Sequence, residues 1–349
     1  MNRRRHATAA ITVICALTVL ASPALTLQAA AAPLPPPPPK KSLEEVRQEI
    51  DDLYRKAAVA TDAYNLAEEK TKEQSAEIVR LARMIVEGRE KIGDLKARAG
   101  AAARAQYRNG GLPDGAQLVL TNDPQLFLDA AGRLKAGAKA TTDLLGEMNR
   151  SQAELDTYAK DAGINWTKLE ANRVKQAKAK KEINDRIAAA KKLESELAAE
   201  ERERLRRLEE QAQLRAQTTW LGTGVLAGLK GDATPEAKKA IAFATAQIGK
   251  PYVWGAEGPD SYDCSGLTQL AWGTAGRPIP RTSQEQWRLL PRVDIKDMRP
   301  GDLIVYFKDA SHIGMYVGNG TMVHAPRPGR NVTLAGAGSM EILGVVRPT

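Results

Sequence analysis

The sequence predicts an α+β protein: a long antiparallel helical hairpin of coiled-coil type, followed by a compact domain built on an antiparallel sheet. Three observations carry this expectation. The 349 residues are 27% charged and only 5% aromatic, which does not suit one large core. Residues 42–217 are rich in Ala, Lys, Glu and Arg, with apolar positions recurring at spacings of three and four. From Thr234 onward the pattern changes to short helices and strands separated by Gly and Pro turns.

The N-terminus reads as an export signal over residues 1–31. Arg3, Arg4 and Arg5 precede an apolar run from Ala7 to Leu27, and Ala29 to Ala32 supply small residues for cleavage after Ala31. The expected destination is outside the cytoplasm, secreted or in the cell wall or periplasmic space. The run approaches spanning length, so an uncleaved anchor is the alternative. Losing the leader lowers the formal charge from +9 to about +6. That balance suits anionic envelope polymers. No basic patch interleaved with aromatics occurs, which argues against nucleic acid.

Residues 32–41 form a proline-rich spacer, extended and semi-rigid. The arm over 42–217 opens with a capping box, Ser42 and Glu45. Leu43, Val46, Ile50 and Leu53 then mark one helix face, and later seam positions are alanine-rich. As one helix the first half reaches ~100 Å. Asn109 to Gly115 breaks it, and Asn122-Asp123-Pro124 starts a second helix. Two long helices about a short break make a hairpin. Its role stays open between a spacer and a regulatory arm that covers the Cys264 cleft or docks a cell-envelope partner. Residues 218–233, with four glycines from Gly222 to Gly231, read as a linker. The domain over 234–349 begins at Thr234-Pro235, a helix cap with proline at the first helical position.

Once the leader is gone, the chain holds one thiol, Cys264, and two imidazoles, His312 and His324. A lone cysteine in an exported chain makes no internal bridge and is flagged as a reactive thiol. Asp263 reads as the cap of a helix beginning at Cys264, where partial positive charge favours thiolate and free N–H groups suit an oxyanion. Gly301 to Phe307, Ser311 to Val317 and Thr321 to Ala325 read as strands. If Gly318-Asn319-Gly320 is the loop, Val317 faces Thr321 and His312 lies opposite Pro326. His324 is then its diagonal neighbour on the same face. The expected arrangement sets both rings against the Cys264 helix, with His312 as base and His324 orienting it. This is the pattern of a cysteine hydrolase. Zinc on one Cys and two His is the competing chemistry, but the short-range ligand pairs of a metal site are missing. No metal and no cofactor are expected, and no Gly-rich phosphate loop follows a strand.

Six segments then resemble one family in order. They are Pro251 to Gly255, Asp263 to Leu267, Pro280 to Ser283, Pro300 to Leu303, His312 to Gly318 and His324 to Pro326. Together they resemble the NlpC-type (NlpC/p-sixty) cysteine peptidases over roughly Thr234 to Thr349. The resemblance implies a papain-like α+β domain that cleaves peptidoglycan stem peptides, usually between D-γ-glutamate and the diamino acid. It implies Cys264 as nucleophile, His312 as base and His324 as the third polar residue. It also implies that Tyr252 lines the site and helps hold the oxyanion, and that Asp263 and Ser265 shape the pocket. Arg281 is the expected partner of a substrate carboxylate, since a guanidinium matches the carboxylate fork. Ala256 departs from the family, where a second glycine is common. Leader and arm resemble actinobacterial wall hydrolases. The rival readings are a silent wall-binding scaffold and an amidase or transferase using the same thiol.

Overall fold

The computed structural model describes residues 41–108, 124–229 and 231–349. The export signal, all but the last residue of the proline-rich spacer, and the break at 109–123 lie outside the described residues. Among the described residues, no helix is long and apolar enough to cross a membrane.

The arm is helical as its spacing requires. Helix α1 spans Leu43–Arg108 and α2 spans Pro124–Glu196. The capping box forms at the first turn: Glu45 N donates to Ser42 Oγ at 3.2 Å, and Ser42 N donates to Glu45 Oε2 at 2.7 Å. Ala57, Ala60 and Ala67 are buried along α1. Small side chains there let neighbouring elements approach closely.

One helix more than expected completes the arm. The chain breaks at Leu197-Ala198 and continues as α3, Ala199–Gly222. Neither residue is a strong breaker, so the turn is set by packing. Leu205 of α3 joins Val46, Ile50, Tyr54 and Ala190 in a small apolar junction. Helix α3 also runs past the expected boundary at 217, and a short α4, Val225–Gly228, follows. Much of the expected linker is therefore helical. Trp220 and Leu229 pack on the sheet of the C-terminal domain, which gives this segment an apolar anchor.

The C-terminal domain opens with α5, Pro235–Thr245, capped by Thr234 through a 3.2 Å bond from Ala237 N. Helix α6 spans Cys264–Thr274 and α7 spans Ser283–Leu289. The strands are β1 Arg292–Val293, β2 Leu303–Tyr306, β3 His312–Gly318, β4 Thr321–His324, β5 Thr333–Gly336 and β6 Ile342–Val346. They form one antiparallel sheet in the order β1-β6-β2-β3-β4-β5.

The sheet is buried on both faces, so β2 reads as a continuous apolar run rather than an alternation. Leu303, Val305, Ile313, Met315 and Val323 pack against α5 and α6 through Ala240, Leu267 and Ala271. Ile304, Tyr306, Tyr316 and Met322 form the second core beneath Trp220. The β3–β4 register matches the expected one, with Met315 opposite Val323 and Tyr316 opposite Met322. A shift next to the turn pairs Gly318 with Thr321, so the loop is Asn319-Gly320. Both adopt positive φ, 53° and 69°, as a two-residue hairpin turn of this hand requires.

Candidate active site

Cys264 occupies the first turn of α6. Asp263 caps that turn, with its Oδ1 accepting from Gly266 N at 2.6 Å and its Oδ2 accepting from Gly255 N at 3.0 Å. A Cβ on Gly266 would meet the Ala256 carbonyl oxygen at 2.3 Å. Only glycine lets the loop through Ala256 lie across the helix start.

The hairpin brings the two imidazoles together. His312 Nε2 and His324 Nδ1 lie 2.8 Å apart, with ring planes at 78°. The rings share one face, as the register requires, and His312 lies beside Tyr306, its cross-strand partner. That face is not the one packed on α6. Alternation turns Ile313 and Met315 toward α6 and the two rings toward the other side. The helix start instead meets β3 at its first residues, where the Ile313 backbone N–H faces the Cys264 sulfur and favours its anion.

The electrostatics differ from the expectation of a thiolate. Burial pushes the Cys264 thiol well above its ordinary range, and the nearby Asp263 and Asp62 carboxyls add to this. Burial holds His312 down to about 4 and His324 well below its ordinary range, the latter also because of His312. Desolvation beneath the arm outweighs the helix-end charge. The thiol and both imidazoles are thus held in their neutral forms.

Arg281 also departs from expectation. It is 1% exposed. Its Nη1 donates to Asp263 Oδ1 and Ser265 Oγ, both at 3.0 Å, and its Nη2 donates to Asp263 Oδ2 at 2.7 Å. Its Nε donates to Glu257 Oε1 at 2.8 Å. Four of five donors are engaged by the protein, so the guanidinium braces the helix cap and does not wait for a substrate carboxylate. Asp263 and Ser265 are buried in the same network. Tyr252 is buried at the site, and desolvation raises its phenol well above the usual range.

Helix α1 covers this cleft with residues that the sequence did not single out. Asn65 Nδ2 donates to Asp263 Oδ2 at 3.1 Å, and Tyr64 meets the edge of Trp254 with ring centroids 5.2 Å apart. Asp62 lies against Ser283 Oγ and Gln284 N. A cavity of about 20 Å³ remains between Tyr54 and Thr61 of the arm and Tyr252, Trp254, His312 and Pro326. That volume holds a water molecule and excludes a peptide. Arg327 fastens the base of the arm. Its guanidinium sits 4.4 Å from the Tyr54 ring centroid and pairs with Glu194 at 3.3 Å and Glu209 at 2.8 Å. Arg330 reaches Glu209 at 2.6 Å. These polar side chains are spread over a helix whose apolar pattern points elsewhere, so periodicity carried no sign of them.

Fold and site define a class, the α+β domains in which a helix-borne thiol meets a strand carrying one of two touching histidines. Residues 249–340 match the model of the NlpC/P60 family, and the C-terminal part of this chain is an NlpC/P60 domain. Similar proteins include a probable endopeptidase of Corynebacterium glutamicum, 43% identical over 100 residues that make up 26% of this chain and 48% of that protein. A probable endopeptidase of Mycobacterium tuberculosis is 40% identical over 98 residues, 28% of this chain and 24% of that protein. The chain thus spans about half or less of the length of the curated relatives it matches. Among solved structures, the NlpC/p60 domain of the peptidoglycan hydrolase SagA is 28% identical with a TM-score of 0.30, covering 32% of this chain and 97% of that one.

Proposed function

We propose that this protein is an exported peptidoglycan endopeptidase that works through Cys264, His312 and His324, and that its arm holds the site closed. The observation that carries the reading is the 2.8 Å contact between His312 Nε2 on β3 and His324 Nδ1 on β4, with β3 meeting the start of the Cys264 helix at Ile313. Family membership and relatives described as probable endopeptidases support it.

The chemistry follows from the tautomers. For His312 Nδ1 to accept the thiol proton, His312 Nε2 must carry its own and donate it to His324 Nδ1. His324 then keeps its proton on Nε2. With the arm withdrawn, water returns to the cleft and the desolvation that favours the neutral thiol weakens. The thiolate attacks a stem-peptide carbonyl, with the free N–H groups at the start of α6 facing the developing oxyanion. His312 returns the proton to the leaving amine as the C–N bond breaks. A water, giving its proton to His312, then hydrolyses the thioester and releases the new carboxylate. The bond between D-γ-glutamate and the diamino acid is the proposed cleavage point.

The test is digestion of purified peptidoglycan with product masses. New termini at the D-γ-glutamyl bond, absent from a Cys264→Ala digest, are expected. Cleavage of the amide next to the sugar would instead make the protein an amidase. Identical digests from both proteins would leave the thiol without a role.

A further inference from the structure

The contact between Asp62 and Ser283 contains one proton too few for an ionised aspartate. Ser283 Oγ lies 2.5 Å from Asp62 Oδ2 and 2.6 Å from the Ala310 carbonyl oxygen. A hydroxyl has one hydrogen, and a carbonyl oxygen only accepts. If Ser283 donates to Ala310, the short contact to Asp62 needs a proton on the carboxyl. If it donates to a carboxylate, two acceptors face each other at 2.6 Å.

We propose that the arm closes over the thiol cleft as a neutral acid, so that closing takes up a proton at Asp62 and loss of that proton favours release. This inference rests on the reading of α1 as a cover for the Cys264 site. Asp62 is buried, and the groups facing it are mostly acidic. Asp263 and Cys264 stand at the start of α6, and Tyr252 comes from the preceding segment. Among the described residues, the cation that acts on Asp62 is Arg281, already bound to Asp263 and Glu257. Burial, with Asp263 adding to it and Ser283 opposing it, pushes the Asp62 carboxyl up to about 7. On a released, hydrated helix the same group titrates at about 4. The closed state therefore binds more protons across this interval. Closure is strongest below about pH 4, weakens as pH rises and levels off above about pH 7.

Asp62→Asn keeps the shape and a donor toward Ser283 but has no proton to lose. The readout is the rate at which iodoacetamide modifies Cys264 in the full chain, located by peptide mass and compared between wild type and Asp62→Asn at each pH. His312, His324 and the thiol itself titrate in both proteins and cancel in the ratio. The wild-type-to-variant ratio is expected to rise roughly tenfold or more between about pH 5 and about pH 7, then level off. A flat ratio overturns the proposal. Infrared spectra give a second measure that does not depend on the variant's closure. A carboxylic-acid carbonyl band should be present in wild type near pH 6 and missing from Asp62→Asn, and its absence from wild type overturns the proposal. Muropeptide digestion of the same samples separates this idea from the peptidase reading. A rising ratio with no muropeptide cut upholds the latch and defeats the peptidase. Cleavage with a flat ratio does the reverse.

Discussion

Asn65 of the arm donates its amide to Asp263, the residue that caps the catalytic-candidate helix, across 198 positions of sequence. Both side chains are buried. The same Asp263 is braced from the other side by Arg281. A segment that reads as a spacer is thereby tied to the group that sets the start of the Cys264 helix.

Replacing the sulfur should separate chemistry from folding. Cys264→Ala removes one buried atom, at a cost of about 1 kcal/mol in stability. Muropeptide cleavage should disappear while the urea midpoint barely moves. Residual cleavage at a tenth of wild type would remove the thiol from the mechanism.

Loosening the base of the arm should raise activity. Arg327→Ala deletes the pairing with Glu194 and Glu209 and the stacking on Tyr54. Charge-assisted bonds of this kind contribute about 2 kcal/mol, roughly thirtyfold in the open population. Faster Cys264 alkylation and faster muropeptide cleavage are expected together. Unchanged rates of both would mean that the arm is no cover.

Truncation needs care because the linker is structural. A fragment starting at Thr234 lacks Trp220 and Leu229, which cover one face of the sheet. A fragment starting at Ala199 keeps both, along with the bonds from Gln217 to Gly320 O and from Gly338 N to Gln217. The longer fragment should unfold at higher urea by an amount worth about 2–4 kcal/mol, the scale of losing a buried aromatic and an aliphatic side chain. Equal midpoints would show that this apolar cover adds nothing.

Arg281 should behave as a brace and not as a substrate contact. Arg281→Ala leaves the Asp263 carboxylate buried without its cation, a loss of about 3–5 kcal/mol. Urea unfolding should show it, and Arg281→Lys should restore only part, because an ammonium lacks the fork. A variant with wild-type stability and only a raised KM would return Arg281 to the substrate.

The stability of Asp62→Asn should fall as the solution is acidified from about pH 6.5 to about 4. An unfolded imidazole binds a proton near 6.5, whereas His312 in the fold resists until about 4. The unfolded chain therefore takes up more protons in this window, costing the fold roughly 3 kcal/mol from His312 alone. Asp62 acts in the opposite direction over an overlapping range. Urea midpoints of Asp62→Asn, free of that opposition, should decline steadily through the window; a constant midpoint would contradict the burial of neutral imidazoles.

Much of the fold was legible in local chemistry. Ser42 and Glu45, Thr234 with Pro235, and Asp263 with Cys264 each marked a helix start, because caps satisfy backbone N–H groups within one turn of chain. The β3–β4 register, and with it the meeting of His312 and His324, followed from the period-two pleat about a short turn. Strands β1, β5 and β6 were not singled out; β1 has two residues, β5 joins β4 only across the irregular stretch 325–332, and β6 pairs only with the distant β1 and β2.

Residue type and short-range spacing picked out which atoms of residues 234–349 are chemically able to act: one thiol, two imidazoles and the cap that sets the helix. Tertiary structure alone decided their state. Arg281 faces inward, the thiol and imidazoles are neutral, and Asp62 and Asn65 belong to the site. Desolvation and ion pairing depend on which distant surface lies within a few ångströms, and no periodicity in α1 encodes what it comes to rest against.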